Sequence, residues 1–283
     1  MTLYQRPQTL PEALAVLAAG PQVVLAGGTD IYPALAGAEL RGPVLDLTAV
    51  AGLRGLNAGP DGLRIGACTT WAEVAAATNL PPALAALQQA AVQIGGHQIQ
   101  NAGTIGGNLC HASPAADGVP PLLVLGAEVE LASPRGRRRL RLADFITGPR
   151  RTTRAADEVL VAVLIPQAGL AGQSRFIKLG ARAWLVISIA MVAVRIVAAH
   201  GRVAEAALAV GACSAVARRL PAVEAHLIGA PLADAALLIS DAAVAAALDP
   251  LDDLRGTAVF RATAAAELLR RAVADVAKAE AGA

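Results

Sequence analysis

The chain has 283 residues, of which 55% are hydrophobic and 16% charged, with a formal net charge of +2. That length suits one elongated unit or two to three sub-domains, and the apolar content excludes intrinsic disorder. Aromatic residues make up only 2%, which together with the near-neutral charge argues against a nucleic-acid reader, where stacking rings and a basic face are needed. In chain order, Thr9-Leu10-Pro11-Glu12 has the form of a helix start, with Thr9 as cap and Glu12 at the reciprocal spacing. Gly20-Pro21 ends that helix, and Val23, Val24 and Leu25 form a short strand running into Gly27-Gly28. A short helix follows near Ile31, then a strand through Val44 to Leu47.

From about residue 57 the pattern is mixed. Leu63 to Ala67 reads as a strand, Thr70 caps a helix to Ala77, and Pro82 to Val92 reads as a helix. Residues 93–119 are rich in Gly, Asn, Ser and Pro and read as a long functional loop. Leu122 to Leu125 and Glu128 to Leu131 resume regular structure. The basic run Arg135 to Arg141 reads as a hairpin turning at Gly136, with Glu128 and Glu130 offering opposite charges across it. Further on, Leu185 to Val197 and Ala206 to Val210 predict strands. Ser214 to Leu227, Asp234 to Leu248 and Thr257 to Ala279 predict helices, the last with Leu269, Val273 and Val276 on one face.

Cys68, Cys110 and Cys213 are odd in number and far apart, so no disulfide framework is expected. No C-x-x-C pair is present, which argues against an iron–sulfur cluster or zinc ribbon in this chain. The N-terminal segment lacks a continuous apolar stretch, and Ser188 and Arg195 interrupt the run Ala183 to Ala199. Neither signal peptide nor membrane insertion is expected, and the chain reads as cytoplasmic.

Two glycine turns carry the chemistry. The first is Val24-Leu25-Ala26-Gly27-Gly28-Thr29-Asp30-Ile31. Glycines let the backbone approach a ligand, and successive amides at a helix start form an anion-binding concavity. Thr29 can donate to phosphate, and the Asp30 carboxylate is expected to cap the following helix. The second is Thr104-Ile105-Gly106-Gly107-Asn108, running on through Cys110, His111 and Asp117. The amides of both doublets are expected to converge on one diphosphate. The fingerprints G-x-G-x-x-G and G-x-x-x-x-G-K-[ST] are absent from these turns, so a nucleotide is not held in the Rossmann or Walker manner. Cys110 reads as small filler and His111 as a polar contact to the ligand. His97 reads as a hydrogen-bonded loop residue, His200 and His226 as surface, and Trp71 and Trp184 as core or interface.

Ala26-Gly27-Gly28-Thr29-Asp30, Thr104-Ile105-Gly106-Gly107-Asn108 and Ala112-Ser113-Pro114-Ala115-Ala116-Asp117 together resemble the FAD-binding subunit of the molybdenum hydroxylases. Asp157 to Leu160 and Phe176 to Gly180 extend the likeness along most of the chain. The resemblance implies an α+β fold: a two-part FAD-binding region of PCMH type over residues 1–170, divided near residue 56, then a C-terminal domain of antiparallel sheet and helices over 171–283. It implies that Val24 to Ile31 and Thr104 to Asn108 cradle the FAD diphosphate and ribityl chain, and that Ile94 borders it. It further implies that Asp117 accepts a hydrogen bond from the cofactor, that Leu160 packs against the ring system and that Lys178 lies near the flavin ring. Gln100 stands where many relatives carry arginine. The family implies a small [2Fe–2S] subunit and a large molybdopterin subunit as partners, in a dimer of heterotrimers. The acceptor would be NAD, a quinone or oxygen. The rival readings are a stand-alone flavin oxidase or reductase and a scaffold without cofactor.

Overall fold

The computed structural model describes residues 3–281. A small parallel sheet comes first, with Val44–Asp46 between Tyr4–Gln5 and Val23–Leu25. Helix Leu10–Ala18 carries the chain from one edge strand to the other, and the crossover that parallel neighbours need between Val23–Leu25 and Val44–Asp46 runs through the short helix Ile31–Ala34. The start of Leu10–Ala18 is as the sequence predicts: Thr9 Oγ1 accepts from the Glu12 amide, and the Glu12 carboxylate accepts from the Thr9 amide, a cap of about 1 kcal/mol. Ala13 and Leu17 join Leu45, Leu47 and Val161 in one buried cluster. The edge strand Tyr4–Gln5 was not legible, since two residues carry no periodicity.

Five antiparallel strands form the central sheet, in the order Leu56–Gly59, Gly62–Gly66, Val159–Pro166, Glu128–Ser133, Gly136–Arg141. Trp71, Leu84, Leu87, Leu109 and Leu122 come from the helices and Val129 and Val163 from the sheet; together they build the largest core. The basic run is the outer strand of a hairpin. Glu130 pairs with Arg137 at 2.9 Å and Arg139 at 3.2 Å. Glu128 faces Arg141 in register, but that guanidinium turns to Asp144 at 2.7 Å.

The last sheet is antiparallel, ordered Gln173–Leu179, Ala190–Ala199, Arg202–Gly211, Arg218–Arg219. Its second strand alternates between two interiors. Met191 and Ala193 belong to the central core, whereas Val192, Val194 and Ile196 pack with Leu269, Val273 and Val276 of helix Ala258–Ala281. Side chains of a strand alternate faces, so an uninterrupted apolar run marks a sheet buried on both sides. This sheet therefore joins the C-terminal part to the central sheet and its helices through shared core.

Several boundaries differ from the sequence reading. Residues 93–119 hold helices His97–Ala102 and Ile105–His111 and the start of Val119–Val124; tertiary packing overrides their weak propensity. The strand expected from Leu185 begins at Ala190, and Leu185 itself is left-handed at φ 53. The helix expected from Ser214 starts at Pro221, whose ring suits a first turn. The stretch from Asp234 breaks into a 3-10 segment, Leu232–Leu238, and helix Asp241–Ala247, which Ser240 caps. Trp71 is buried, but Trp184 is exposed. No helix among the described residues is long and apolar enough to cross a membrane.

Candidate functional site

The first glycine turn leaves the parallel sheet at Leu25 and enters the short helix Ile31–Ala34. Gly28 has φ +68, where a Cβ would also strike the Tyr32 ring at 2.6 Å. A Cβ on Gly27 would lie 1.9 Å from the Ala102 carbonyl oxygen. The turn therefore rests directly on the end of helix His97–Ala102, which leads into the second turn. The two doublets share one cleft of about 930 Å3, within the range of cofactor sites.

Hydrogen-bond accounting separates the two turns. Among the described residues, the amides of Gly27, Gly28, Thr29 and Asp30 donate to no protein acceptor. The second turn's amides are engaged: Ile105 donates to Thr69 O at 3.0 Å, Gly106 to Ala67 O at 2.8 Å, Gly107 to the capping Thr104 Oγ1 at 3.1 Å and Asn108 to Thr104 O at 3.0 Å. The expectation that both doublets present amides to one diphosphate is thus corrected. Gly106 serves close packing, since its Cβ would meet Ala67 at 2.7 Å. Gly107 faces open space apart from the Thr104 hydroxyl.

Asp30 also departs from its expected role. Its side chain makes no cap bond; its Oδ2 lies 2.8 Å from Nδ1 of His111. That pair links the first turn to the end of the helix that carries the second. Val24, Ala26, Thr29, Ile31, Ile94 and Thr104 line the cleft with the glycines, as do Asn108, His111 and Leu160. Leu25 and Ile105 are buried in the core behind it.

Asp117 and Lys178 lie outside the cleft lining. Lys178 Nζ donates to Asp117 Oδ2 at 2.6 Å, and Ser188 Oγ donates to Oδ1 at 2.5 Å. Both side chains are buried, at 7% exposure for Lys178 and 8% for Asp117. Burial pushes the Asp117 carboxyl above its ordinary value, against the pull of the Lys178 ammonium and the Ser188 hydroxyl. The pair joins the start of helix Val119–Val124 to the C-terminal sheet. Gln100 is buried, and its Nε2 donates to Val92 O at 2.9 Å. His97 opens a helix and is exposed, with no hydrogen bond from its ring among the described residues; His200 and His226 are exposed.

The sequence reading missed a cationic wall. Arg150, Arg151 and Arg154, on and beside the hairpin Ile146–Gly148/Arg151–Thr152, line the cleft. Gly148-Pro149 is a turn signal that follows the denser arginine run Arg135 to Arg141. Glu158 lines the cleft as well. Its carboxylate is held below the ordinary range by hydrogen bonds from Arg138, against the effect of burial. Cys68 and Cys110 also border the cleft. Burial pushes their thiols up to about 12 and about 11, so both are protonated at neutral pH and poor nucleophiles.

The residues fit a flavin dinucleotide. Free amides in a turn at a helix start suit phosphate. Two buried side-chain oxygens in the lining, Gln22 Oε1 and Asn108 Oδ1, have no protein donor and suit the hydroxyl and N–H donors of a sugar chain and heterocycle.

Comparison with known proteins agrees. Residues 1–168 match the family model described as "FAD binding domain in molybdopterin dehydrogenase", and residues 175–276 match "CO dehydrogenase flavoprotein C-terminal domain". The putative xanthine dehydrogenase FAD-binding subunit of Escherichia coli K12 is 40% identical over 166 residues, which is 58% of this chain and 57% of that protein. That match spans little more than half the relative's length. The nicotine 6-hydroxylase medium subunit of Paenarthrobacter nicotinovorans is 32% identical over 96% of both chains. A chain of the reconstituted CO dehydrogenase from Oligotropha carboxidovorans superposes with TM-score 0.90 and 27% identity, over 99% of this chain and 98% of that one. With more than half its length matched by the family model and the cleft built to suit, this chain belongs to the FAD-binding subunits of the molybdenum hydroxylases.

Proposed function

We infer that the chain is the electron-transferring flavin subunit of a molybdenum-containing oxidoreductase. Electrons arrive from [2Fe–2S] clusters of a small partner and leave to an external acceptor such as NAD, a quinone or oxygen. The observation that carries this reading is the single cleft with unsatisfied amides at Gly27 to Asp30. A bound flavin supplies the redox chemistry, exchanging electrons between its partners.

The chain's own residues bind and orient. The first turn donates N–H groups to the diphosphate, Gln22 and Asn108 accept from the cofactor, and Ile94 and Leu160 shield it from water. The Asp30–His111 pair joins the two rims. The region up to about residue 170 holds the cofactor, and the region beyond braces it through the Asp117–Lys178 pair and the two-faced strand Ala190–Ala199. Relatives described as medium subunits or chains support a smaller and a larger partner; in this reading the small one carries iron–sulfur clusters, the large one molybdopterin, and the assembly is a dimer of heterotrimers.

The test is direct. The purified chain should be yellow and release FAD on denaturation. Its flavin should be bleached by substrate only when the partners are present. A folded but colourless chain contradicts the reading, and turnover of NADH or an alcohol by the isolated chain supports the stand-alone alternative.

A further inference from the structure

Two guanidinia on the cleft have no assigned task. The hairpin Ile146–Gly148/Arg151–Thr152 turns through Pro149 and Arg150. Arg150 has φ 56, a left-handed backbone at the position after proline where such turns take glycine or asparagine. An L side chain is disfavoured there, yet the turn is held in place. The Arg150 amide donates to Ala112 O at 2.9 Å, and Ala112, left-handed at φ 50, ends helix Ile105–His111. The hairpin tip is thereby tied to the element that carries the second glycine turn. The Arg151 guanidinium folds back over Gly148, where a Cβ would lie 2.9 Å from Nε and Nη2.

The charge balance of the cleft points the same way. Arg137, Arg138, Arg139 and Arg141 on the preceding hairpin each hold a carboxylate. Arg150 and Arg151 hold none among the described residues. Within the lining, Asp30 Oδ2 lies 2.8 Å from His111 Nδ1 and Glu158 is paired with Arg138, while Arg154 donates to the Ala155 and Glu158 carbonyls. What remains without any carboxylate or carbonyl partner among the described residues is cationic: the guanidinia of Arg150 and Arg151, in the same cleft as the free amides of the first turn. A diphosphate carries the complementary charge, and a planar guanidinium pairs with phosphate oxygens in bidentate fashion.

We propose that Arg150 and Arg151 are phosphate-binding residues that make the cleft prefer a flavin carrying a diphosphate over the phosphate-free riboflavin. This rests on the reading of the cleft as a flavin site. The side chain at Arg150 is retained in a strained turn because it recognises the ligand, and the hairpin's tie to Ala112 fixes that recognition relative to the glycine turns.

The experiment titrates FAD, FMN and riboflavin into the full chain, purified with its accompanying subunits and freed of flavin, following flavin fluorescence at low and raised salt. The variants are Arg150→Asn, which keeps the left-handed turn, Arg151→Gln, and the double. The double variant is expected to bind FAD about tenfold or more weakly, with riboflavin affinity unchanged and the salt dependence of FAD binding flattened. Arg151→Lys, which keeps the charge and loses the fork, is expected to fall between. FAD affinity in the double variant within about twofold of the parent overturns the inference. So does an equal loss for riboflavin, which makes the role structural. A parent chain that binds no flavin sinks the flavin reading itself, a result distinct from either.

Discussion

The two glycine doublets look alike as sequence and differ in where their amides go. Gly27-Gly28 ends a strand, leans on Ala102 and leaves its amides without protein partners. Gly106-Gly107 begins a helix, and its amides bond Ala67 O and Thr104 Oγ1. The first turn leaves its donors free; in the second, Gly106 lets a helix approach Ala67 and Gly107 leaves open space beyond the Thr104 hydroxyl. What distinguishes a binding turn from a packing turn is where its N–H groups go, which a doublet in a sequence does not show.

The ion pairs near each turn differ in the same way, and the largest expected effect follows from that. Asp117→Ala leaves the buried Lys178 ammonium without its carboxylate and should lower unfolding stability by about 3–5 kcal/mol, measured by denaturant titration. A loss under about 1 kcal/mol would mean that water reaches the pair. Next come the glycines. Gly27→Ala forces a Cβ onto the Ala102 carbonyl and should cost about 1–3 kcal/mol by overpacking. Gly107→Leu has open space beyond the Thr104 hydroxyl; it should keep its melting temperature within about 4 °C of the parent, a shift worth about 1 kcal/mol in a chain this size, while flavin content falls sharply. Equal behaviour of the two variants would erase the distinction between the turns.

A pH experiment sharpens the same contrast from the cleft wall. The Arg138 hydrogen bonds hold the Glu158 carboxyl below its ordinary value, so its contribution is present above that value and is lost as pH falls through the lowered one. Thermal unfolding should therefore show the parent losing more stability than Glu158→Gln on acidification below about pH 4. The smallest effect belongs to the half-exposed clasp between the turns. Asp30→Asn should change stability by less than about 1 kcal/mol while speeding flavin release, read as the dissociation rate in stopped flow.

Much of this was legible in the sequence. Thr9 and Thr70 cap their helices as predicted, and the reciprocal bond expected at Thr9 is present and has a counterpart from Glu73 at Thr70, because capping is local. Strand Val23–Leu25 and the glycine turns were readable because a short apolar run meeting glycine has few alternatives. The helices within residues 93–119 were not readable, since glycine, asparagine and proline hide a helix that only packing against Trp71 and Leu87 stabilises. Arg150 and Arg151 were missed for another reason. They reach the cleft from a hairpin far along the chain from either turn, and only the fold reveals that neighbourhood. The Asp30–His111 and Asp117–Lys178 pairs likewise join residues brought together by tertiary structure.

Hydrogen exchange at individual amides tests the central claim most directly. Without flavin, the amides of residues 27–30 should exchange fast and those of residues 105–108 slowly. Added FAD should slow the first group and leave the second nearly unchanged. Exchange at residues 27–30 that is indifferent to FAD, with new protection confined to 105–108, would contradict the account.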